Sequence, residues 1–306
     1  MSCKNIINNI NNIVTIDRCM TSLPDNVHII PLGHEYDRAI APFRKKSVDR
    51  IYILSVTKNT GTYEDEMVNR QVHFTKKVQD FFKKKNAEVI SLEVHLFDLL
   101  EVMKVITAII RDEQKKGNDV SINMSACGRK TSIGAALAGM AHGVNVYYVS
   151  AETYALDYAT FWDHGLSICE KGDTFKFENF EFDLPDKISQ MILVKLFREN
   201  RGIRSTEIRD FLNEQGVEGF EIRLADVEKA SKSVKPPNRE PVDKRSESIT
   251  QNIRLEKKYL GRLESSKYIR REKSGKNNIL YLTDAGKYIA CITGDVELPS
   301  LGISRK

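Results

Sequence analysis

From Asn26 onward the chain alternates short apolar runs with longer amphipathic stretches. Val27-His-Ile-Ile-Pro-Leu-Gly33, Arg50-Ile-Tyr-Ile-Leu-Ser-Val56, Val89 to Val94, Asp119 to Met124 and Asn145 to Val149 read as strands. Asp37 to Lys46, Glu64 to Lys85, Phe97 to Lys115 and Thr131 to His142 read as the helices between them. Apolar strands that alternate with helices belong to a parallel sheet covered on both faces. The expectation is an α/β chain with a Rossmann-like domain over residues 26–150.

The pattern then changes. In Thr174-Phe-Lys-Phe-Glu-Asn-Phe-Glu-Phe182, aromatic residues alternate with polar ones, which predicts extended structure, a hairpin in a connector or dimer surface over residues 151–185. Asp186 to Phe197 reads as a helix, and Ser205 as the cap of a second one, Thr206 to Glu214, halted at Gly216. Lys235-Pro-Pro-Asn-Arg-Glu-Pro241 predicts an irregular, exposed stretch. Ser246 to Ser265 carries helical spacing, with Ile249, Ile253, Leu260 and Leu263 on one stripe and Gln251, Arg254, Lys258 and Arg262 opposite; Leu255 lies off the stripe. A hairpin follows, with Arg270 on one arm and Lys276 at its tip, and Thr283 starts a last helix. Helix, helix, long helix and basic hairpin is the order of a winged helix-turn-helix, here residues 186–306. The Asn-rich residues 1–25 read as a loosely held extension.

Charge sharpens this division. Residues 1–185 hold 22 Lys and Arg against 24 Asp and Glu; the remainder holds 25 against 18, so net charges of −2 and +7 make up the chain's +5. The positive surplus lies with the winged helix, where a polar helix face fits the major groove and a cationic hairpin meets phosphates. Gln251, Arg254, Lys258, Arg262, Arg270 and Lys276 are the candidate DNA contacts, the alternatives being a solvated charged face or a surface for protein partners.

Five scattered cysteines with no Cys-x-x-Cys pair argue against a disulfide framework and a zinc site, and six histidines without His-Glu-x-x-His spacing imply no metal. No apolar run approaches a membrane span and the first residues lack the order of a signal peptide, so a cytoplasmic protein is expected.

Candidate chemistry concentrates in two loops after strands. In Ser121-Ile-Asn-Met-Ser-Ala-Cys-Gly-Arg-Lys-Thr-Ser-Ile-Gly134, a strand runs into Gly128, Arg129 and Lys130 at the start of a small-residue helix. Free N–H groups and the helix dipole favour an anion there, so the stretch reads as a phosphate pocket or as an ordinary turn with two solvated cations. The second loop is Gly33-His-Glu-Tyr-Asp-Arg38. His34 and Tyr36 suit a nucleobase, Tyr36 equally suits the core, and Glu35 and Asp37 read as helix-capping charges. No Gly-x-Gly-x-x-Gly or Gly-Lys-Ser/Thr loop is present, which disfavours NAD chemistry and ATP hydrolysis.

Pro31-Leu-Gly-His-Glu-Tyr-Asp-Arg38 and Asn123-Met-Ser-Ala-Cys-Gly-Arg-Lys130 resemble the corresponding loops of CARF, the CRISPR-associated Rossmann fold. Together with Tyr281-Leu-Thr-Asp-Ala-Gly286, the likeness extends over roughly residues 26 to 290 to archaeal regulators that join CARF to a winged helix. Ala126 and Cys127 stand where a Gly-Gly pair is commoner. The resemblance implies a homodimer that senses a cyclic oligoadenylate, commonly a four-nucleotide ring, through Gly33, His34, Ser125, Gly128, Arg129 and Lys130, and passes its presence to DNA. It implies an alternative too: a metal-independent ring nuclease, for which Arg129 or Lys130 supplies charge stabilisation and no general base stands out.

Overall fold

The computed structural model describes residues 23–56, 58, 63–179, 183–221, 244–274 and 277–293. The Asn-rich start up to residue 22, the Pro-containing stretch, Phe180, Phe182 and Lys276 lie outside them.

The first part is the expected α/β layer. Strands β1 (Asn26–Pro31), β2 (Arg50–Ser55), β3 (Glu88–Glu93), β4 (Asp119–Asn123) and β5 (Asn145–Val149) are all parallel, in the order β3-β2-β1-β4-β5. The connections are α1 (Tyr36–Ile40) with a 3₁₀ turn at Ala41–Phe43, then α2 (Asp65–Lys84), α3 (Leu99–Lys115) and α4 (Arg129–Ala141). Val27, Ile29, Leu54, Ile106 and Ile122 face one apolar layer, and Ile30, Ile51, Ile53, Val78 and Phe82 the other, which accounts for strands that are apolar throughout. The first helix is shorter than the Asp37–Lys46 span because Pro42 turns the chain into the 3₁₀ geometry.

The small residues of α4 serve packing. A Cβ on Gly139 would stand 2.5 Å from Val146 Cγ2, and one on Gly134 would stand 2.8 Å from Leu99 Cδ1, so this helix lies against both the sheet and α3.

Residues 151–179 hold β6 (Thr153–Tyr154), α5 (Tyr158–His164), β7 (Ser167–Ile168) and β8 (Thr174–Phe177). The aromatic stretch is extended, as its alternation predicted, but β8 pairs antiparallel with β5 and closes the sheet edge in place of a local hairpin within its described part.

The second part is a winged helix. It comprises α6 (Lys187–Glu199), β9 (Ile203–Arg204), α7 (Ser205–Glu214), the long helix α8, β10 (Ile269–Ser274), β11 (Asn277–Leu282) and α9 (Asp284–Thr293), with a three-stranded sheet in the order β10-β11-β9. The cap of α7 is Arg204, one residue before the expected Ser205, with its N–H donating to the Glu207 carboxylate at 3.1 Å.

Helix α8 corrects the predicted stripe. It runs as Lys244–Leu255, a π-helical segment Glu256–Leu260 and Gly261–Ser265. The wider π turn absorbs a residue and rotates the two halves relative to each other. Its buried positions are Gln251, Leu255, Tyr259, Leu260 and Leu263, whereas Ile249 and Ile253 are 51% and 50% exposed. Leu255, off the predicted stripe, is core.

The final helix returns to the first domain. Cys291 and Ile292 bury themselves with Met103 and pack on Leu99, Leu100, Leu137 and Ala141. The Arg111 guanidinium donates to the Thr293 carbonyl, and His142 Nε2 lies 2.8 Å from the Ile292 carbonyl. Since a carbonyl only accepts, the imidazole donates. Burial holds His142 below its ordinary value of 6.5, with Arg111 acting in the same direction against the carbonyl bond.

Toward the C-terminal end of α3 Glu113, fully buried, accepts from Tyr52 at 2.7 Å, Arg50 at 2.7 Å, Lys116 at 2.8 Å and Asn118 at 2.6 Å. Removing it leaves Arg50 with a lost partner in a half-buried position. Glu113→Ala is expected to lower the unfolding free energy by about 3 kcal/mol in urea denaturation. The seam at α9 is expected to be acid-sensitive: because the folded-state pKa of His142 is depressed, docking is unaffected well above pH 6.5 and weakens as pH falls below it. Hydrogen exchange of α9 amides between pH 7.5 and 5 measures this, with faster exchange at the lower pH.

Candidate ligand pocket and nucleic-acid face

The strand order reverses between β1 and β4, so their following loops diverge to opposite faces and leave a crevice at the C-terminal edge of the sheet. The two loops singled out in the sequence meet there. Gly33 N–H donates to the Ala126 carbonyl at 2.7 Å, and the Leu32 N–H to the Leu54 carbonyl at 2.8 Å. A cavity of about 230 Å³ opens beside this junction, lined by Gly33, His34, Val56, Met67, Val68, Gln71, Leu96, Phe97, Gly128, Thr131 and Leu166.

Of the six expected ligand residues, Gly33, His34 and Gly128 line the cavity. Gly128 is the N-cap of α4 in extended backbone, so Arg129 and Lys130 occupy the first helical turn. Both are exposed and outside the cavity lining. They stand on the helix end at the rim, where a dipole's positive end already favours an anion.

Ser125 has a different job. Its hydroxyl is buried, donating to Asn123 Oδ1 at 2.6 Å and accepting from the Val149 N–H at 3.0 Å. Asn123 in turn donates to the Arg38 carbonyl at 2.8 Å. The side chain expected to touch ligand is thus spent on joining β4, β5 and α1. Cys127 Sγ lies 3.6 Å from the Met124 carbonyl, and burial pushes its thiol up to about 12, against the opposing bond with Ser132.

The acidic pair of the first loop does not cap a helix by its side chains. Asp37 is buried and accepts from the Cys169 N–H at 3.0 Å and Arg44 at 3.2 Å, with His164 Nδ1 at 3.0 Å. Glu35 lies 3.7 Å from Arg38 and accepts from Ser167 at 3.2 Å; burial raises its pKa, outweighing both partners. These contacts bind the 164–169 return to the β1 loop. Gly165, at φ +86°, lets that return approach: a Cβ would meet the His34 carbonyl at 2.5 Å. Leu166 consequently reaches the cavity while its N–H donates to the His34 carbonyl at 2.9 Å.

Burial lowers the pKa of His34, against the Met67 carbonyl bond at 3.3 Å and together with the Arg70 charge. Tyr36 packs partly buried beside the Ile30–Phe82 layer, with Lys77 Nζ 4.5 Å from its ring centre. Trp162 of α5 stacks on Phe74 at 5.9 Å, which seats the connector on α2.

The sequence reading missed the walls contributed by α2 and the approach to α3. One signal was available. The inward positions of α2 run Val68, Gln71, Thr75, Val78, Phe82, so Gln71 is a polar residue at a core-facing site.

On the winged helix, Arg254, Lys258, Arg262 and Arg270 are exposed. Gln251 is not: at 7% exposure it donates from Nε2 to the Glu221 carbonyl at 3.1 Å, so the long helix uses it to hold the chain after α7. The expected contact at Gln251 fails because the π segment turns that position inward.

The fold defines a two-part protein, a parallel α/β domain with a crevice at its strand reversal and a winged helix packed against it. Residues 26–154 match the family model described as HFX_2341_N-like, N-terminal, and residues 188–294 match the DUF6293 C-terminal winged helix domain. No curated protein matches the chain significantly.

Among solved structures it is similar to Can2 from Sulfobacillus thermosulfidooxidans in complex with cyclic tetra-adenylate, at 10% identity and a TM-score of 0.35, over 87% of this chain and 62% of that one. It is also similar to the protein VC1899 from Vibrio cholerae, at 11% identity and a TM-score of 0.35, over 87% and 64%. Csm6 of Enterococcus italicus, bound to cyclic hexa-2′-fluoro-hexa-dAMP, shows 10% identity and a TM-score of 0.37, over 80% and 59%. The chain spans about three fifths of the length of these structures.

Ser125→Ala is expected to lower the unfolding free energy by about 1–3 kcal/mol, since the buried Val149 N–H loses its acceptor. Chemical denaturation measures this, and an unchanged midpoint would contradict the structural role.

Proposed function

We propose that the protein is a nucleotide-responsive DNA-binding regulator, in which the first domain takes a cyclic oligoadenylate and the winged helix contacts duplex DNA. The observation that carries this reading is the cavity at the strand reversal, lined by Gly128 at the start of the helical turn that carries Arg129 and Lys130. A nucleotide divides the same way: its ring suits the apolar walls and its phosphate suits the cationic helix end. The loops that carry the CARF resemblance meet at this place, through Gly33 and Ala126.

A ring-shaped effector with two-fold symmetry calls for two copies of the pocket. Tyr154, Leu156, Tyr158 and Leu166 are exposed apolar residues on the connector, and this uncovered apolar surface supports a homodimer in which a second copy of the chain covers it. The route to DNA runs through α3 and α4. The approach to α3, at Leu96–Phe97, and the start of α4, at Gly128–Thr131, line the cavity, and both helices pack on α9. An effector that binds one arrangement of these helices better than another shifts the winged helices by that difference in affinity.

With cyclic tetra-adenylate at about a hundred times its Kd, the thermal midpoint is expected to rise by roughly 5–10 °C. The combined Arg129→Ala and Lys130→Ala change is expected to cut this rise by more than half. No shift with cyclic oligoadenylates of four or six units overturns the sensor reading. Duplex DNA binding is expected to weaken steeply with salt, and Arg254→Ala with Lys258→Ala to reduce the slope of log K against log salt by about two. Binding indifferent to salt and to both side chains overturns the DNA reading.

A further inference from the structure

Within a wall built largely from Val56, Met67, Val68, Leu96 and Phe97, Gln71 contributes a carboxamide. It is 6% exposed and its orientation is determined by its surroundings. Nε2 donates to the Leu32 carbonyl at 2.8 Å and points at the Gly33 carbonyl at 3.4 Å, while Thr75 Oγ1 lies at 3.3 Å. Two backbone carbonyls accept and never donate, so the flipped amide would set oxygen against oxygen. Oε1 must therefore be the end that points away from the β1 backbone.

Among the described residues no donor meets Oε1, and it is not a sealed, unsatisfied atom either. The cavity thus presents a pre-oriented acceptor amid apolar walls, held by α2 on one side and by the last residues of β1 on the other. Such a group recognises a flat ring that carries a hydrogen-bond donor on its edge, because an apolar occupant leaves the acceptor unpaired and a carbonyl at the same position is repelled.

We propose that Gln71 is the base-reading residue of this pocket, with Oε1 accepting a hydrogen bond from an exocyclic amino group such as that of a 6-aminopurine. The inference rests on the nucleotide reading above and adds the side chain that selects the base. It differs from double-helix readout of adenine by a bidentate amide, since Nε2 is already committed to Leu32. Phe97, half exposed at the cavity wall, offers a ring face for stacking.

The test compares cyclic tetra-adenylate with its all-purine-riboside analogue, in which each exocyclic amino group is replaced by hydrogen, by calorimetry on the full chain. The wild-type protein is expected to prefer the adenine ring by roughly ten- to a hundred-fold. Gln71→Leu is expected to bring that ratio close to one. Equal binding of the two rings by the wild type overturns the assignment while leaving the nucleotide pocket in place. Binding of neither ring removes the pocket reading and this inference with it. A ratio that persists in Gln71→Leu shows that another group reads the base. If Gln71→Leu fails to fold, Gln71→Met replaces it, and the wild-type ratio decides on its own whether an amino donor is recognised.

Discussion

A single backbone hydrogen bond, from Gly33 N–H to the Ala126 carbonyl, holds together the two loops on which the site depends. It forms because β1 and β4 are neighbours whose crossovers leave in opposite directions, so that their ends are adjacent and uncovered. Nearly every other feature of the region braces this junction. Ser125 and Asn123 tie β4 to β5 and α1, Asp37 tethers the 164–169 return, and Gly165 admits that return close to His34. Polar side chains that look ready for a ligand are consumed in this bracing, and the cavity beyond keeps mostly apolar walls.

The same economy shapes the winged helix. Its last helix joins two apolar clusters: Ile289 and Ala290 pack inside the winged helix, and Cys291 and Ile292 pack on α3 and α4. A displacement of α3 or α4 at the cavity is met by packed side chains and by two side-chain-to-carbonyl bonds at the end of α9. Close-packed interfaces of this kind transmit strain and do not absorb it.

Much of the architecture was legible in the residue pattern, because burial on both faces of a parallel sheet leaves runs such as Ile51 to Leu54 with little room for polar residues. Strand and helix limits matched to within a few residues except where local chemistry intervened, as with Pro42 in α1. The candidate site was legible in part. Gly33, His34 and Gly128 announce a strand-to-helix corner, but Ser125 and Gln251 were misassigned because a polar residue gives no sign of whether its partner is a ligand or its own backbone. Helix α8 shows the same limit in apolar positions: a strict helical period places Ile249 and Ile253 inside, and one π turn exchanges them for Leu255 and Tyr259.

By itself the sequence determined the order of elements, the division into an α/β part and a basic winged helix, and the two loops at the strand ends. These are local or periodic properties, set by residue spacing and by where charge falls. Tertiary structure alone decided which of the marked side chains are free, that Gln71 commits its Nε2 to the Leu32 carbonyl at the cavity wall, and that α9 docks on α3 and α4. Each of those outcomes depends on contacts between residues far apart in the chain, whose partners spacing does not name.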